Sequence, residues 1–352
     1  MAAADGHDRI TVDAGRARAF LADLFAAAGV DEASALLVAD GLVEADLQGV
    51  GSHGMLQAPT YLRRLRAGTI DGKGALRLVH SSAAVRVYDA GLALGHAVAK
   101  GAMDRAVETA RTHGLAAVAV RTATHFGVAG RHARAAAEAG MIGIVMCNTR
   151  PMLAAPGGTS AIVGNNPLAI AIPVAGRAPI VLDMAMSAVA MGRIRLAAQR
   201  GEAIPPDWAL DAGGQPTTDA AAGLAGVLLP AAGAKGYGLA LMVDFLCALS
   251  GGSALGEITS MYGDPSAPSD CSWLFLTIDP AHFGLSKAYP ERIAELAVSI
   301  VATAGEEALP GERKLRAERR SLGKVVVPKI LADDLERLAA EFASPARRIA
   351  DD

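Results

Sequence analysis

Cysteine is scarce in this chain of 352 residues: Cys147, Cys247 and Cys271 stand far apart and include no C-x-x-C pair. An odd, widely spaced set gives no disulfide framework and suits reduced, structural thiols in a cytoplasm. An excess of one charge sign is also missing, with 33 Lys and Arg against 36 Asp and Glu. Apart from a short run between Arg313 and Arg320 there is no basic block, so nucleic acid is not an expected partner. The opening Met-Ala-Ala-Ala-Asp-Gly-His-Asp holds acids and no apolar core, unlike a secretory signal. The most apolar stretch, 161–192, is broken by Asn165, Asn166, Pro167, Pro173, Arg177 and Asp183, so no membrane association is expected. Internal repeats and heptads are absent. What remains reads as a soluble cytoplasmic chain, 52% hydrophobic, with material for a large core in one or two domains.

Several catalytic motifs are missing as well. No H-E-x-x-H occurs, and Gly233-Ala-Lys-Gly-Tyr237 does not fit a P-loop. Gly51-Ser-His-Gly54 is too short for the G-x-S-x-G elbow of a serine hydrolase. Gly49-Val-Gly-Ser-His-Gly54 does spell G-x-G-x-x-G, but that fingerprint needs a strand before it and a helix after it. Upstream, Ala35, Leu36, Ala39, Leu42, Val43 and Leu47 follow a helical period, and Pro59 interrupts downstream. Two readings of the hexapeptide stay open. Either glycines close a helix beside an incidental histidine, or they present Ser52 and His53 for acid–base work near neutral pH. A metal site from His53, His125, His132 and Asp183 lacks ligand spacing, so no metal is expected. His7 and His113 read as solvent-facing, and His80, His96 and His282 as satisfied by local hydrogen bonds.

Along the chain, helices are expected over 14–28 and 31–47, with Asp31 and Gly29 as start and stop signals. A short helix around Tyr61, Leu62 and Leu65 should stop at Gly68, with Arg63, Arg64 and Arg66 as its solvated face. Strands are expected at 76–80, 85–88, 115–120, 142–147, 168–174, 179–184 and 273–279, and helices at 95–112, 130–139, 239–250, 291–304 and 332–342. Residues 154–167 read as turns and 208–219 as a surface excursion. Lys235 beside glycines ahead of a helix suits an anion contact or a plain solvent lysine. Strands and helices do not alternate regularly, so the fold class expected is α+β, with a mixed or antiparallel sheet.

These stretches together resemble the malate/L-lactate dehydrogenase family of NAD(P)-dependent oxidoreductases, which lacks a Rossmann fold. The matching segments begin with Ala45-Asp-Leu-Gln-Gly-Val-Gly-Ser-His-Gly54, Thr124-His-Phe-Gly-Val-Ala-Gly130, Ala155-Pro-Gly-Gly158 and Gly164-Asn-Asn-Pro167. They continue with Leu182-Asp-Met-Ala-Met-Ser187, Pro216-Thr-Thr-Asp219, Lys235-Gly-Tyr-Gly-Leu-Ala240 and Pro310-Gly-Glu-Arg313. The resemblance implies that His53 is the proton donor to a C=O or C=N group and that Ser52 orients it. It implies nicotinamide cofactor contacts from His125, Phe126, Gly127, Val128 and Ala129, and from Asp183, Met184 and Ala185. Lys235 and Gly236, with Gly311, Glu312, Arg313 and Lys314, complete that set. It also implies a homodimer, a helical domain from both chain ends (1–75 with 305–352), and an α+β cofactor domain over 76–304.

Three departures concern the substrate. Where the family usually carries a carboxylate-gripping arginine this chain has Gln57, and a neutral amide does not replace a guanidinium there. Asn165 stands where a threonine is common, and Arg193 where imine-reducing relatives similar to piperideine-carboxylate reductase carry an aspartate. Gln57, Asn165 and Arg193 are therefore the candidate substrate contacts. The expectation is a small substrate lacking the usual α-carboxylate. The alternatives are an ordinary 2-keto or 2-hydroxy acid gripped by Arg193 or Arg63, and a cofactor-binding relative that no longer catalyses. Arg313, Lys314 and Arg316 lean toward NADPH, whereas Glu312 beside them would suit the ribose hydroxyl of NADH.

Overall fold

The computed structural model describes residues 9–346 and 348–350; His7 lies outside them. Helices Ala14–Ala27 and Glu32–Leu47 begin as the sequence suggests, because Asp13 and Asp31 each accept a backbone N–H three residues on, from Arg16 and Ser34, at 3.0 Å. Helix Ala58–Ala67 ends at Gly68, whose φ of +74° is cheap only for glycine. These helices and Lys329–Glu341 share one core, with Leu21, Phe25, Leu42, Tyr61 and Leu335 fully buried. An antiparallel ribbon of Arg9–Asp13 with Lys324–Pro328 closes it. Strand Lys324–Pro328 was not foreseen.

The larger sheet has seven strands, in the order Arg77–Ser82, Val85–Asp89, Leu115–Ala123, Cys271–Ile278, Ile142–Cys147, Leu168–Ile172, Ile180–Met184. Only Val85–Asp89 and Leu115–Ala123 run parallel, joined through helix Gly95–His113; the other pairs are antiparallel. That mixture is α+β and excludes a doubly wound sheet. Helices Gly95–His113 and Ala129–Glu138 face it with small residues, among them Ala99, Ala102, Ala106, Ala133 and Ala136. The backbones come so close that a Cβ at Gly143 would lie 2.4 Å from the Ala133 carbonyl. Sequence alone reads these alanines as bulk composition; here they set the helix-to-sheet distance.

A third core gathers Leu153, Val163, Ile194, Ala209 and Leu228. It corrects several expectations. The stretch 154–167 is not all turns, since Ala161–Gly164 pairs with Pro151–Ala154 in a four-stranded sheet. Ala209 and Leu210, expected at the surface, are buried in that sheet. Met191–Arg200 and the charged 312–321 segment are both helical. No helix among the described residues is long and apolar enough to cross a membrane.

Two ion-pair centres join the first core to the large sheet. Arg131 bonds Asp40 at 2.6 Å, and both Arg131 and Arg134 pair with Glu44. The helix that leads into Ser52 and His53 is thereby fixed against the helix that follows His125.

Candidate active site

Helix Glu32–Leu47 ends just before a tight 3-10 turn, Gly51–His53. The turn folds back over Asp46, whose Oδ2 accepts from the Met55 N–H at 2.8 Å. A Cβ on Gly54 would sit 2.0 Å from Asp46 Oδ1, so glycine is needed there for space. Burial raises the Asp46 carboxyl to about 6, against the opposing pull of the Met55 bond. Within the turn, Ser52 Oγ lies 3.0 Å from His53 Nδ1. This leaves His53 Nε2 for another partner. If the hydroxyl donates, the neutral ring carries its hydrogen on Nε2.

The half-buried His53 ring stacks on His125, with centroids 5.4 Å apart and planes at 30°. His125 Nδ1 is 2.5 Å from Tyr61 Oη, which lies 3.4 Å from His96 Nε2. Burial drives His125 well below the ordinary histidine range and His96 to about 3, so both are neutral at physiological pH. His53 is lowered too, first by burial; the charge of Lys314 adds to this and that of Asp183 opposes it. His96 thus belongs to the site's polar chain, although the sequence suggested only local bonding, and its Nδ1 has no partner. Its ring fills the place a Cβ would take at Gly127, 2.4 Å away, where φ is +81°.

A cavity of about 280 Å³ opens beside Ser52 and His53. One wall is His125, Phe126 and Gly127; the floor includes Asn165, Ala185, Met191 and Gly192. Thr149, Arg150 and the segment 258–262 complete the lining, and Gln57 bridges Tyr262 to the Ser52 carbonyl. Asn165 Oδ1 accepts from the Ser187 N–H at 2.7 Å, which leaves the amide nitrogen free toward the cavity. Next to it, buried Asn166 accepts from the Thr149 N–H at 2.8 Å and donates to fully buried Asp244 at 3.0 Å. Asn148 donates to the Ser253 carbonyl at 2.8 Å and accepts from the Ser272 N–H at 2.7 Å. Thr149 and Arg150 are carried on this buried amide lattice.

The segment 260–267 is held by a residue the sequence placed in solvent. Arg64 is buried, 2% exposed, and its guanidinium donates to the carbonyls of Met261 (2.9 Å), Ala267 (2.7 Å) and Ser260 (3.0 Å). Those acceptors lie some 200 residues away in sequence, and no local pattern announces them. Arg63 and Arg66 are exposed, as expected.

The remaining candidates divide. Gln57 is buried and does not line the cavity; its Nε2 donates to the Ser52 carbonyl (2.5 Å) and to Tyr262 Oη (2.8 Å), and its Oε1 has no partner. Arg193 is exposed and lies over the Trp208 ring at 5.5 Å. Val128 is buried, Met184 packs against the third core, and Ala129 opens the following helix, none of them lining the cavity. Asp183 pairs with Lys314 at 2.5 Å, and Gly311 packs on Val181. Glu312 is buried between Arg177 and Arg319, so its carboxylate is already engaged. Arg316 pairs with Glu306 and Glu307, whereas Arg313 is exposed. Lys235 is exposed in the first turn of helix Ala234–Cys247, and Gly236 packs against the Ala231 carbonyl. Asp46, Tyr61, Thr149, Arg150 and Tyr262 were not assigned roles from sequence.

The family described as malate/L-lactate dehydrogenase matches residues 12–336. The chain is 38% identical over 317 residues to the (2R)-3-sulfolactate dehydrogenase (NADP(+)) of Chromohalobacter salexigens, covering 89% of this chain and 93% of that one. It is 36% identical over 269 residues to the ureidoglycolate dehydrogenase (NAD(+)) of Escherichia coli O157:H7, covering 76% of each. The solved sulfolactate dehydrogenase from Methanocaldococcus jannaschii superposes with a TM-score of 0.88 at 34% identity, over 95% of this chain and 98% of that one.

Proposed function

The chain belongs to the malate/L-lactate dehydrogenase family and is a nicotinamide-dependent oxidoreductase of CH–OH groups; from that premise we propose that His53 is its proton donor. The observation that carries this reading is the Ser52–His53 pair opening on a cavity that no carboxylate lines. In reduction, a hydride joins the carbon of a C=O or C=N group and the π electrons move to the heteroatom. His53 Nε2 delivers the proton that neutralises it. Ser52 holds the ring by Nδ1, and the stacked, neutral His125 adds no competing charge.

The residues present fit a nicotinamide cofactor. The cavity is walled by Phe126, Met152, Met191 and Ile258, with a free amide on Asn165 and a bare backbone at Gly127. A bound reduced nicotinamide supplies the hydride. The protein would hold it through the His125–Ala129 turn, Ala185, the Asp183–Lys314 pair and the Gly311–Lys314 segment, with Lys235 and Gly236 as the phosphate-side candidates. Arg313 supports NADPH over NADH, because Lys314, Arg316 and Glu312 already have partners while Arg313 is free to meet a phosphate. We also assign 1–75 with 305–352 to a helical body and 76–304 to the cofactor body. Exposed Leu239, Met242, Phe245 and Leu249 share one face of a helix and its extension, which supports a homodimer.

The test follows cofactor absorbance across a panel of oxo acids, ketones and cyclic imines. His53→Ala is expected to lower kcat about 10²–10⁴-fold while leaving NADPH and NADH affinity nearly intact. Full activity in that variant would remove the proton-donor role. Binding of cofactor by the wild type with no turnover anywhere on the panel would favour the non-catalytic reading.

A further inference from the structure

Gln57 leaves the cavity without the cation expected at that position, yet the cavity is not without one. Arg150 lines it and is the sole permanently charged side chain among the described lining residues. It is half-buried, and its guanidinium makes a long 3.4 Å contact to the neighbouring Pro151 carbonyl. No carboxylate pairs with it among the described residues. A guanidinium facing a cavity without carboxylates is available to pair with an anionic group there.

The same wall holds a hydrogen-bond donor of fixed sense. Gln57 Nε2 donates to Tyr262 Oη at 2.8 Å, so the phenol oxygen accepts there and its own hydrogen is free. Gln57 cannot turn its amide round without setting its oxygen against the Ser52 carbonyl that Nε2 now contacts at 2.5 Å. The charges of Arg195 and Arg150 both act on this phenol, offsetting part of the upward push of burial. Tyr262 and Arg150 both line the same cavity, and the charge of exposed Arg195 reaches the phenol as well.

We propose that Arg150 and Tyr262 form an oxyanion-recognition end of the cavity, and that the substrate carries a carboxylate or sulfonate group seated there. Gln57 is a positioning residue that orients the Tyr262 hydroxyl as a donor, rather than a substrate contact. This deepens the dehydrogenase reading and rests on it. The missing arginine at 57 then signals a relocated anion grip, and the absence of any anionic group from the substrate no longer follows. A planar guanidinium fits either oxyanion bidentately, and a tyrosine hydroxyl supplies a third donor.

The test compares wild type, Arg150→Met, Arg150→Lys and Tyr262→Phe on 2-oxo acids bearing a second carboxylate or a sulfonate, and on neutral diketones. Arg150→Met is expected to lower the ratio of anionic to neutral kcat/KM by about 30–100-fold, chiefly through KM, with Arg150→Lys recovering part of it. Tyr262→Phe is expected to lower the same ratio about 5–10-fold. The carboxylate and sulfonate arms tell which oxyanion the site prefers. An equal loss on anionic and neutral substrates, or no change in KM for anionic ones, would overturn the proposal. Isothermal titration of oxalate into the cofactor-bound enzyme reads the site without turnover, and Arg150→Met should abolish that binding. Wild type that reduces neutral ketones but ignores oxalate and every oxyanion sinks this inference alone. A chain that binds neither NADH nor NADPH sinks the dehydrogenase reading instead. Thermal melts of each variant separate loss of recognition from loss of fold.

Discussion

The two walls of the cavity are built on opposite electrostatic terms. Around His53 the polar chain of buried His125, His96 and Tyr61 is neutral, since burial holds both histidines uncharged. The charges that reach His53 come as the Asp183–Lys314 pair, which act in opposite directions. The wall bearing Arg150 and Tyr262 is governed by cations, with Arg64 binding the segment from behind and Arg150 facing the cavity. Proton transfer is best served where a single histidine changes charge against a quiet background. Recognition of an oxyanion is best served where a fixed positive charge waits.

The largest effect that would break this contrast is expected at Arg64. Arg64→Met strips several carbonyls of their donor at once and should destabilise the chain by about 3 kcal/mol or more in urea unfolding. KM for the substrate should rise with little change in cofactor affinity. Lost stability with an unchanged KM would mean that the segment 260–267 does not shape the recognition wall.

A smaller effect, of opposite sign, is expected at Asp46 on the quiet wall. Its folded pKa of about 6 lies above the unfolded value of 3.8, so the fold favours the protonated acid. That contribution is complete below pH 3.8 and is lost as pH rises through 6. Asp46→Asn keeps an acceptor for Met55 and should stabilise the protein by about 1–2 kcal/mol at pH 8, with no gain at pH 3.5. Thermal melts at the two pH values decide it. A gain equal at both would show that the carboxylate's charge is irrelevant.

The next expected effect is on the pH profile. His53 titrates below 6.5, so reduction should decline as pH rises through that lowered pKa, and oxidation should show the reverse. Asp183 holds the value up and Lys314 pushes it down. Asp183→Asn should therefore move the inflection to lower pH, and Lys314→Met to higher pH. Shifts in the same direction would uncouple this ion pair from His53. The smallest effect expected is at Arg313: Arg313→Glu should turn cofactor preference from NADPH toward NADH by about 10-fold. An unchanged ratio of the two affinities would remove it from phosphate recognition.

What could be read in the sequence follows the range of each interaction. The helix start at Asp31 and the stop at Gly68 depend on neighbours within a few residues, and the structure agrees there. The Ser52–His53 pair is local too. Strand Lys324–Pro328 escaped because its partner lies at the other end of the chain, at Arg9–Asp13. Helix Met191–Arg200 escaped because it is short and its apolar side packs on distant Leu153 and Val163. The acceptors of Arg64 come from 260–267, and Arg150 joins Tyr262 and His53 around one cavity only after folding, so neither role has a local pattern. Gln57 was noticed for what it replaces. Its actual partner, Tyr262, could not be read from the sequence.

The ribbon between the two ends of the described chain also sets a timetable. The helix that delivers His53 shares its core with Val325, Val327 and Leu335. The histidine turn and the strand and helix that complete the core of its supporting helix are separated by most of the described sequence. Closing a loop of that length is slow compared with forming the helices themselves. The turn bearing His53 thus depends on a core completed by residues remote from it in sequence.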